Sequence, residues 1–329
     1  MAHNVIQLQP KPPAAKIQYT ELFYSLEGEG PLVGMPTVFL RFFGCNLTCA
    51  GFGMNGGKKE HTVGANTLEE VDALGITSTG GCDSAYSWHP LFKNLRKTDT
   101  IESIIEKIYE LLPANLRNPQ TTMPDPTWVL SLTGGEPLLH QKAIAAMLHK
   151  LVDLGNASTD WLRMRDLPRI LIETNGTQVL QIELVEAITR YQGRSTQVEP
   201  VVFSVSPKLS NSGEDPSVAL NPRAFRSLFA TEQESIYLKY VSDGSIESFE
   251  EIQRATEILF GSNEEPTSET GAEIIASMLG WVPIYVMPEG STVEQLRVTA
   301  PKVAKMCMQR GFNYSPRLHV DLFGNAVGT

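Results

Sequence analysis

Six apolar, β-prone runs, most of them separated by stretches of helical periodicity, constrain this chain more than any other feature. The runs are Thr37–Phe42, Trp128–Leu132, Arg169–Glu173, Val201–Val205, Ile236–Val241 and Trp281–Val286. Gln141–Leu154 carries Ile144, Leu148, Leu151 and Val152 at helical spacing. Gln181–Tyr191 carries Ile182, Val185 and Ile188, and Ser248–Phe260 carries Phe249, Ile252 and Ile258. Ahead of the second run, Asp99–Leu112 places Ile101, Ile104, Ile105, Ile108 and Leu112 on one face, with Asp99 and Glu102 at capping-box spacing. A last helix, Ser291–Arg310, opens with Ser291 and Glu294 at the same spacing and stops before Gly311. Strand and helix in alternation predict a parallel sheet joined by crossovers. Six strands are fewer than the eight of a closed barrel. The expected architecture is therefore α/β, a partial (open) TIM-like barrel of about six parallel strands. Its 329 residues, 42% of them hydrophobic, suffice for such a core.

Residues 1–17 are polar, contain Pro10, Pro12 and Pro13, and are expected to form a loose arm before a single domain over 18–329. The Gly-, Thr- and Asn-rich stretch 50–81, and residues 156–167 and 261–279, read as surface insertions. Residues 113–127, with four prolines, read as a connector. The net charge of −10 argues against bulk nucleic-acid binding. No run approaches the length of a membrane span and no signal-peptide core is present, so a cytoplasmic protein is expected.

Three of the four cysteines sit together. Cys45 and Cys49 follow the first run directly, in the loop at its carboxyl end, where parallel α/β folds carry their chemistry, and Cys82 comes later. In such a compartment clustered thiols point to metal rather than disulfides. Three thiolates suit a four-iron, four-sulfur cluster with one iron left open. Thirty-two residues part Cys49 from Cys82, so spacing alone leaves two other readings. One is zinc, completed by His61 or His89; the other is unrelated thiols. Gly134-Gly135-Glu136-Pro137 ends the second run. Paired glycines there expose backbone groups to a ligand, Glu136 can accept from a charged amine, and Pro137 suits a first helical turn. Gly28, Gly30 and Gly34 allow a second close approach of backbone to ligand.

Taken in order, these segments resemble a radical S-adenosylmethionine enzyme, and closely resemble the 7-carboxy-7-deazaguanine synthase (QueE) family. The likeness rests on Phe23–Gly30, Gly34-Met35-Pro36, Phe39–Leu47, Cys82–Tyr86, Thr133–Pro137 and Glu173–Thr177. It continues through Ser206-Pro207-Lys208, Leu238–Asp243, Tyr285–Gly290 and Arg317–Asn325. The chain departs from the pattern in three places. The third cysteine is split off by an insertion, Ser84 stands where Thr is common, and Glu27 stands where Gln is usual.

The resemblance implies that Cys45, Cys49 and Cys82 hold a [4Fe–4S] cluster and that the open iron binds S-adenosylmethionine. Gly134, Gly135, Glu136, Pro137, Ser206, Lys208 and the Ser242-Asp243 turn would hold that cofactor. The reaction would convert 6-carboxy-5,6,7,8-tetrahydropterin to 7-carboxy-7-deazaguanine with loss of ammonia, in the biosynthesis of queuosine-type 7-deazapurines. Leu26, Glu27, Gly28, Glu29, Arg41, Glu173 and His319 are the expected substrate contacts, with Arg41 on the carboxylate and Glu29 and Glu173 on the amidine edge. His319 is also the candidate proton carrier. Ser84 would help bind Mg²⁺ with Asp83 behind it. A homodimer and an electron donor such as flavodoxin or ferredoxin are implied partners. Competing expectations are an activator of a glycyl-radical protein and a non-catalytic pterin-binding or interaction module.

Overall fold

The computed structural model describes residues 15–117, 128–156, 167–195, 197–230, 235–261 and 282–329. In chain order the main elements begin with β1 (Lys16–Leu26), β2 (Pro36–Phe42), α1 (Leu68–Ala73), β3 (Lys97–Thr100) and α2 (Ile101–Leu111). There follow β4 (Val129–Gly134), α3 (Gln141–Asn156), β5 (Arg169–Thr174), α4 (Ile182–Arg194), β6 (Val201–Val205) and β7 (Ser235–Ser242). The last are α5 (Ile246–Phe260), β8 (Ile284–Pro288), α6 (Val293–Arg310), β9 (Asn313–Tyr314) and α7 (Leu318–Phe323).

One sheet runs β3-β1-β2-β4-β5-β6-β7-β8-β9 and does not close. From β2 to β9 every pairing is parallel, whereas β1 runs antiparallel to both β2 and β3. The expected open barrel of six long parallel strands is thus present, extended by three strands that the sequence reading lacks. Its outer face carries Leu40, Leu132, Ile172, Phe203, Leu238 and Val286, packed against the apolar stripes of α2 to α6. Each such side chain, fully buried, contributes about 1.5–3 kcal/mol.

The opposite face alternates with this one, as strand geometry requires. Toward the carboxyl ends its residues turn polar. Phe39 gives way to Arg41, Val129 to Ser131 and Thr133, Leu171 to Glu173, Val202 to Ser204, and Tyr237 to Lys239. The apolar members Val129, Leu171, Val202 and Tyr237 form a small inner core with Leu32 from the turn between β1 and β2. The polar members above it face a cavity.

Several expectations need correction. Residues 1–14 and most of 156–167 and 261–279 lie outside the described residues, as does Trp281. Residues 16 and 17 are not part of a loose arm. They open β1, and Ile17 is fully buried. Thr100, not Asp99, caps α2 by accepting from the Ser103 amide. Asp99 instead accepts from Lys107 and Tyr19. On α6 the reciprocal capping box is Thr292 with Gln295, one residue beyond Ser291 and Glu294. The 50–81 insertion has structure of its own. Helix α1 places Val71 in a satellite core with Ala65, Ile76, Ala85, Tyr86, Phe92 and Leu95. Among the described residues no helix is long and apolar enough to cross a membrane.

Candidate active site

A cavity of about 970 Å³ opens at the carboxyl ends of the strands, with Cys45, Cys49 and Cys82 in its wall. The loop that bears Cys45 and Cys49 is fixed from three sides. Gly44 donates to the Ser87 carbonyl at 2.8 Å and accepts from the Glu136 amide at 2.8 Å, and the Phe43 carbonyl lies 3.0 Å from His140 Nε2. A Cβ on Gly135 would lie 2.0 Å from the Gly44 carbonyl oxygen, so only glycine lets the end of β4 approach the thiol loop. Gly134, at φ +125°, would place a Cβ 2.3 Å from the Phe42 carbonyl oxygen. The glycine pair therefore seats the thiol loop as well as lining the cavity.

Cys49 adopts φ +47°, in the left-handed region that cysteine seldom occupies. Glu214 holds it there. One oxygen of Glu214 accepts from the Thr48 amide at 2.7 Å, from the Thr48 hydroxyl at 2.8 Å and from the Cys49 amide. Glu214 is a positioning residue that sequence reasoning missed, because nothing local marks an acid 165 positions from its partner. We expect Glu214→Ala to weaken iron retention by about 10-fold or more, the usual scale for a residue that orients a metal ligand. Iron and sulfide counts after anaerobic reconstitution check this, and Glu214→Gln, which keeps an acceptor oxygen, should restore part of the loss.

The three thiols fit a metal cluster on their own chemistry. The Leu47 amide donates to Cys45 Sγ and the Trp88 indole to Cys82 Sγ, both at 3.5 Å, which favours sulfur carrying negative charge. Burial pushes the Cys45 thiol up to about 12 and raises Cys49 and Cys82 as well. Cys82 raises both Cys45 and Cys49, Cys45 also raises Cys49, and Lys208 acts in the opposite direction on all three. Such thiols deprotonate only against strong positive charge, which a metal supplies. Among the described residues no three His, Cys, Asp or Glu side chains converge at the spacing a single ion needs. A zinc site completed by His61 or His89 is therefore not formed. Those two rings pack on each other and on Phe92. An inorganic cluster, larger than one ion, takes ligands standing further apart.

Below the thiols lies a buried set of charges. Lys239 donates to Glu29 and, at 3.4 Å, to Glu173, which also accepts from the Ser131 hydroxyl at 2.8 Å. Arg317 bonds Glu29 at 3.3 Å, Asp83 at 2.6 Å and the Gly290 carbonyl. Against the cost of burial, Lys239 and Arg317 hold the Glu29 carboxyl far below its usual range. Despite burial, Glu29 and Glu173 hold Lys239 well above its own. Lys239 and Arg317 were not singled out from sequence, yet a lysine inside the apolar strand Ile236–Val241 was a readable signal.

Each expected site residue can now be placed. Leu26, Glu27, Gly28, Glu29, Arg41, Glu173, His319, Asp83, Ser84, Gly134, Gly135, Ser206, Lys208 and Asp243 all line the cavity. Arg41 pairs with buried Glu21 at 2.6 Å through Nε and donates to Ser84 at 3.3 Å through Nη1. Its guanidinium is thus already half engaged on the protein. His319 packs so closely on Gly28 that a Cβ there would lie 2.2 Å from Nδ1. Burial, reinforced by Arg317, pushes the imidazole down to about 4, so it is neutral near pH 7. Lys208 donates to the Ser206 hydroxyl at 3.1 Å.

Three residues do not reach the cavity. Glu136 is fully buried, and its carboxylate accepts from the Leu138 amide, the Thr174 hydroxyl and the Asn175 amide, joining the ends of β4 and β5. Pro137 packs behind it, and Ser242 is spent on the Gly244 amide and the Ser248 hydroxyl.

An open sheet, parallel from β2 to β9, with three thiols in a cavity at the carboxyl ends of its strands suits a [4Fe–4S] cluster. Comparison with known proteins narrows this, although no family model matches the chain. The 7-carboxy-7-deazaguanine synthase of Halobacterium salinarum is 28% identical, over 94% of this chain and 91% of its own length. Proteins of the same name from Rhodopirellula baltica and Pyrobaculum aerophilum are 26% and 23% identical. They cover 94% and 95% of this chain and 88% and 97% of their own lengths. The chain is thus similar to proteins named 7-carboxy-7-deazaguanine synthase along nearly all its length. The crystal structure of QueE from Escherichia coli overlaps it with a TM-score of 0.49 at 18% identity, too slight a likeness to define the fold.

Proposed function

We propose that this chain is a 7-carboxy-7-deazaguanine synthase, converting 6-carboxy-5,6,7,8-tetrahydropterin to 7-carboxy-7-deazaguanine with loss of ammonia. The observation that carries the reading is one cavity lined by two unlike sets of residues: Cys45, Cys49, Cys82 and Lys208, and also Arg41, Glu29, Glu173 and His319. About 970 Å³ accommodates a methyl donor and a pterin together.

When bound, the cluster and S-adenosylmethionine supply the radical that begins the reaction. The chain's own residues do the rest. Cys45, Cys49 and Cys82 would hold the cluster, and Gly134, Gly135, Ser206, Lys208 and Asp243, which line the same cavity, would border the methyl donor. Glu29 and Glu173 accept from the amidine edge of the pterin. The free side of the Arg41 guanidinium takes its carboxylate, while Glu21 fixes the other side. Neutral His319 donates or accepts one hydrogen bond at the substrate without carrying charge. The Ser84 hydroxyl, bonded to Asp83 at 3.2 Å, would offer an oxygen ligand to Mg²⁺ beside the substrate carboxylate. A flavodoxin or ferredoxin as reductant and a homodimeric assembly complete the reading.

The test is anaerobic incubation of reconstituted protein with reductant, S-adenosylmethionine and the carboxylated pterin. The expected products are the deazapurine and ammonia in equal amounts; because that conversion is redox-neutral, 5′-deoxyadenosine is expected only in minor amount, as the marker of radical formation. Formation of 5′-deoxyadenosine without any deazapurine would overturn the substrate assignment and leave the cluster chemistry standing.

A further inference from the structure

Glu27 directly follows β1 and opens the loop that carries Gly28 and Glu29. It is 3% exposed and borders the cavity. Its Oε1 accepts from the Gly28 amide at 3.1 Å and from the Glu29 amide at 3.3 Å. Its Oε2 is buried and has no hydrogen-bond partner. A buried carboxylate normally satisfies both oxygens, and leaving one ionised and unpartnered is costly.

The surroundings make ionisation less favourable still. Glu29 belongs to the same loop, Glu173 faces from β5, Lys239 and Tyr237 from β7, and Arg317 and His319 from the C-terminal segment. Lys239 is the cation that acts on Glu27, and it is already shared by Glu29 and Glu173. Arg317 is taken by Glu29 and Asp83. A charged Glu27 would be a further carboxylate competing for one lysine.

We propose that Glu27 works as an uncharged acid, a positioning residue that ties the Gly28 and Glu29 amides into the cavity wall. Carrying its proton on Oε2, it leaves Lys239 to Glu29 and Glu173, and these stay placed for the donor edge of the substrate. Burial first, and the charge of Glu173 second, raise its carboxyl well above the ordinary range, in agreement with the geometry. Lys239 and Tyr237 are pushed upward and Glu29 and His319 downward, so these neighbours keep their charge state around neutrality. A neutral acid is also the closest mimic of glutamine, the amide that would offer the same acceptor without any charge.

The role in substrate placement rests on the function proposed above; the protonation state does not, and the two are tested separately. Infrared difference spectra of the reconstituted holoenzyme, without pterin, should show a protonated-carboxyl stretch at pH 7 that Glu27→Gln removes. No such band at pH 7 would overturn the proposal, whatever the substrate. Binding of 6-carboxy-5,6,7,8-tetrahydropterin at pH 7 then separates position from charge. Glu27→Ala should bind it about 10-fold more weakly, and Glu27→Gln should recover most of that loss. A Gln variant no better than the Ala variant would overturn the positioning role. Iron content and circular dichroism establish that each variant is folded and loaded. Wild-type protein that does not bind the pterin would count against the proposed function and leave the infrared result intact.

Discussion

Cys82→Ala protein is expected to lose its four-iron cluster after anaerobic reconstitution and, with it, more than about 100-fold of its turnover, beyond the scale set by residues that only orient ligands. Cys82 stands apart from Cys45 and Cys49 in sequence but shares their cavity wall, with the Trp88 indole directed at its sulfur. Iron counting and electron paramagnetic resonance of the reduced protein check the first part, and formation of the deazapurine the second. Cys307→Ala is the control. That thiol is buried on α6 beside the Asn313 carbonyl, far from the cavity lining, and its replacement should leave the iron count at the wild-type value. A full cluster in the Cys82 variant would remove the basis of the site.

Lys239→Met is expected to have the next largest effect. It withdraws the cation shared by Glu29 and Glu173 and leaves both carboxylates in a nearly sealed wall. Breaking a buried pair from one side costs about 3–5 kcal/mol. Arg317 still reaches Glu29, so the lower end of that range is expected. Chemical denaturation at pH 7 measures it. The pH dependence has a definite sign. In the wild type Glu29 is depressed, so its stabilising contribution is present above its unfolded value and is lost only as pH falls through the much lower folded one. In the variant that depression shrinks, and acidification from pH 7 to about 4 should narrow the gap between the two proteins. Wild-type stability at pH 7 would mean that the lysine is dispensable to the charge set.

What could be read from residues alone follows from how each element is specified. The six parallel strands were legible because their outer face is apolar and their inner face turns polar only toward the carboxyl ends, which leaves nearly continuous apolar runs. The thiol loop was legible because it starts where the first of those runs stops. Strand β1 was not. A register shift between Tyr19 and Glu21 breaks its alternation, and its outer partner β3 is distant in sequence. Strand β9 has two residues and carries no pattern. Glu136 looked like a ligand contact because an acid beside paired glycines often is one. Only the fold reveals that Thr174 and Asn175 consume it. Arg41 was correctly placed at the mouth of the sheet, but its tie to Glu21 depends on the unseen antiparallel strand.

The excursion between Cys49 and Cys82 has a consequence for endurance. Thirty-two residues leave the body and return, meeting it at Gly51 against Ser212 and at Gly53 against Glu289. Bridging its two ends through shared inorganic sulfide cross-links a long loop, and chain statistics for such a bridge give roughly 3–4 kcal/mol of restrained unfolded-state entropy. Iron starvation would then disarm the chemistry and also loosen the roof above it, exposing that segment to proteases before the rest of the sheet.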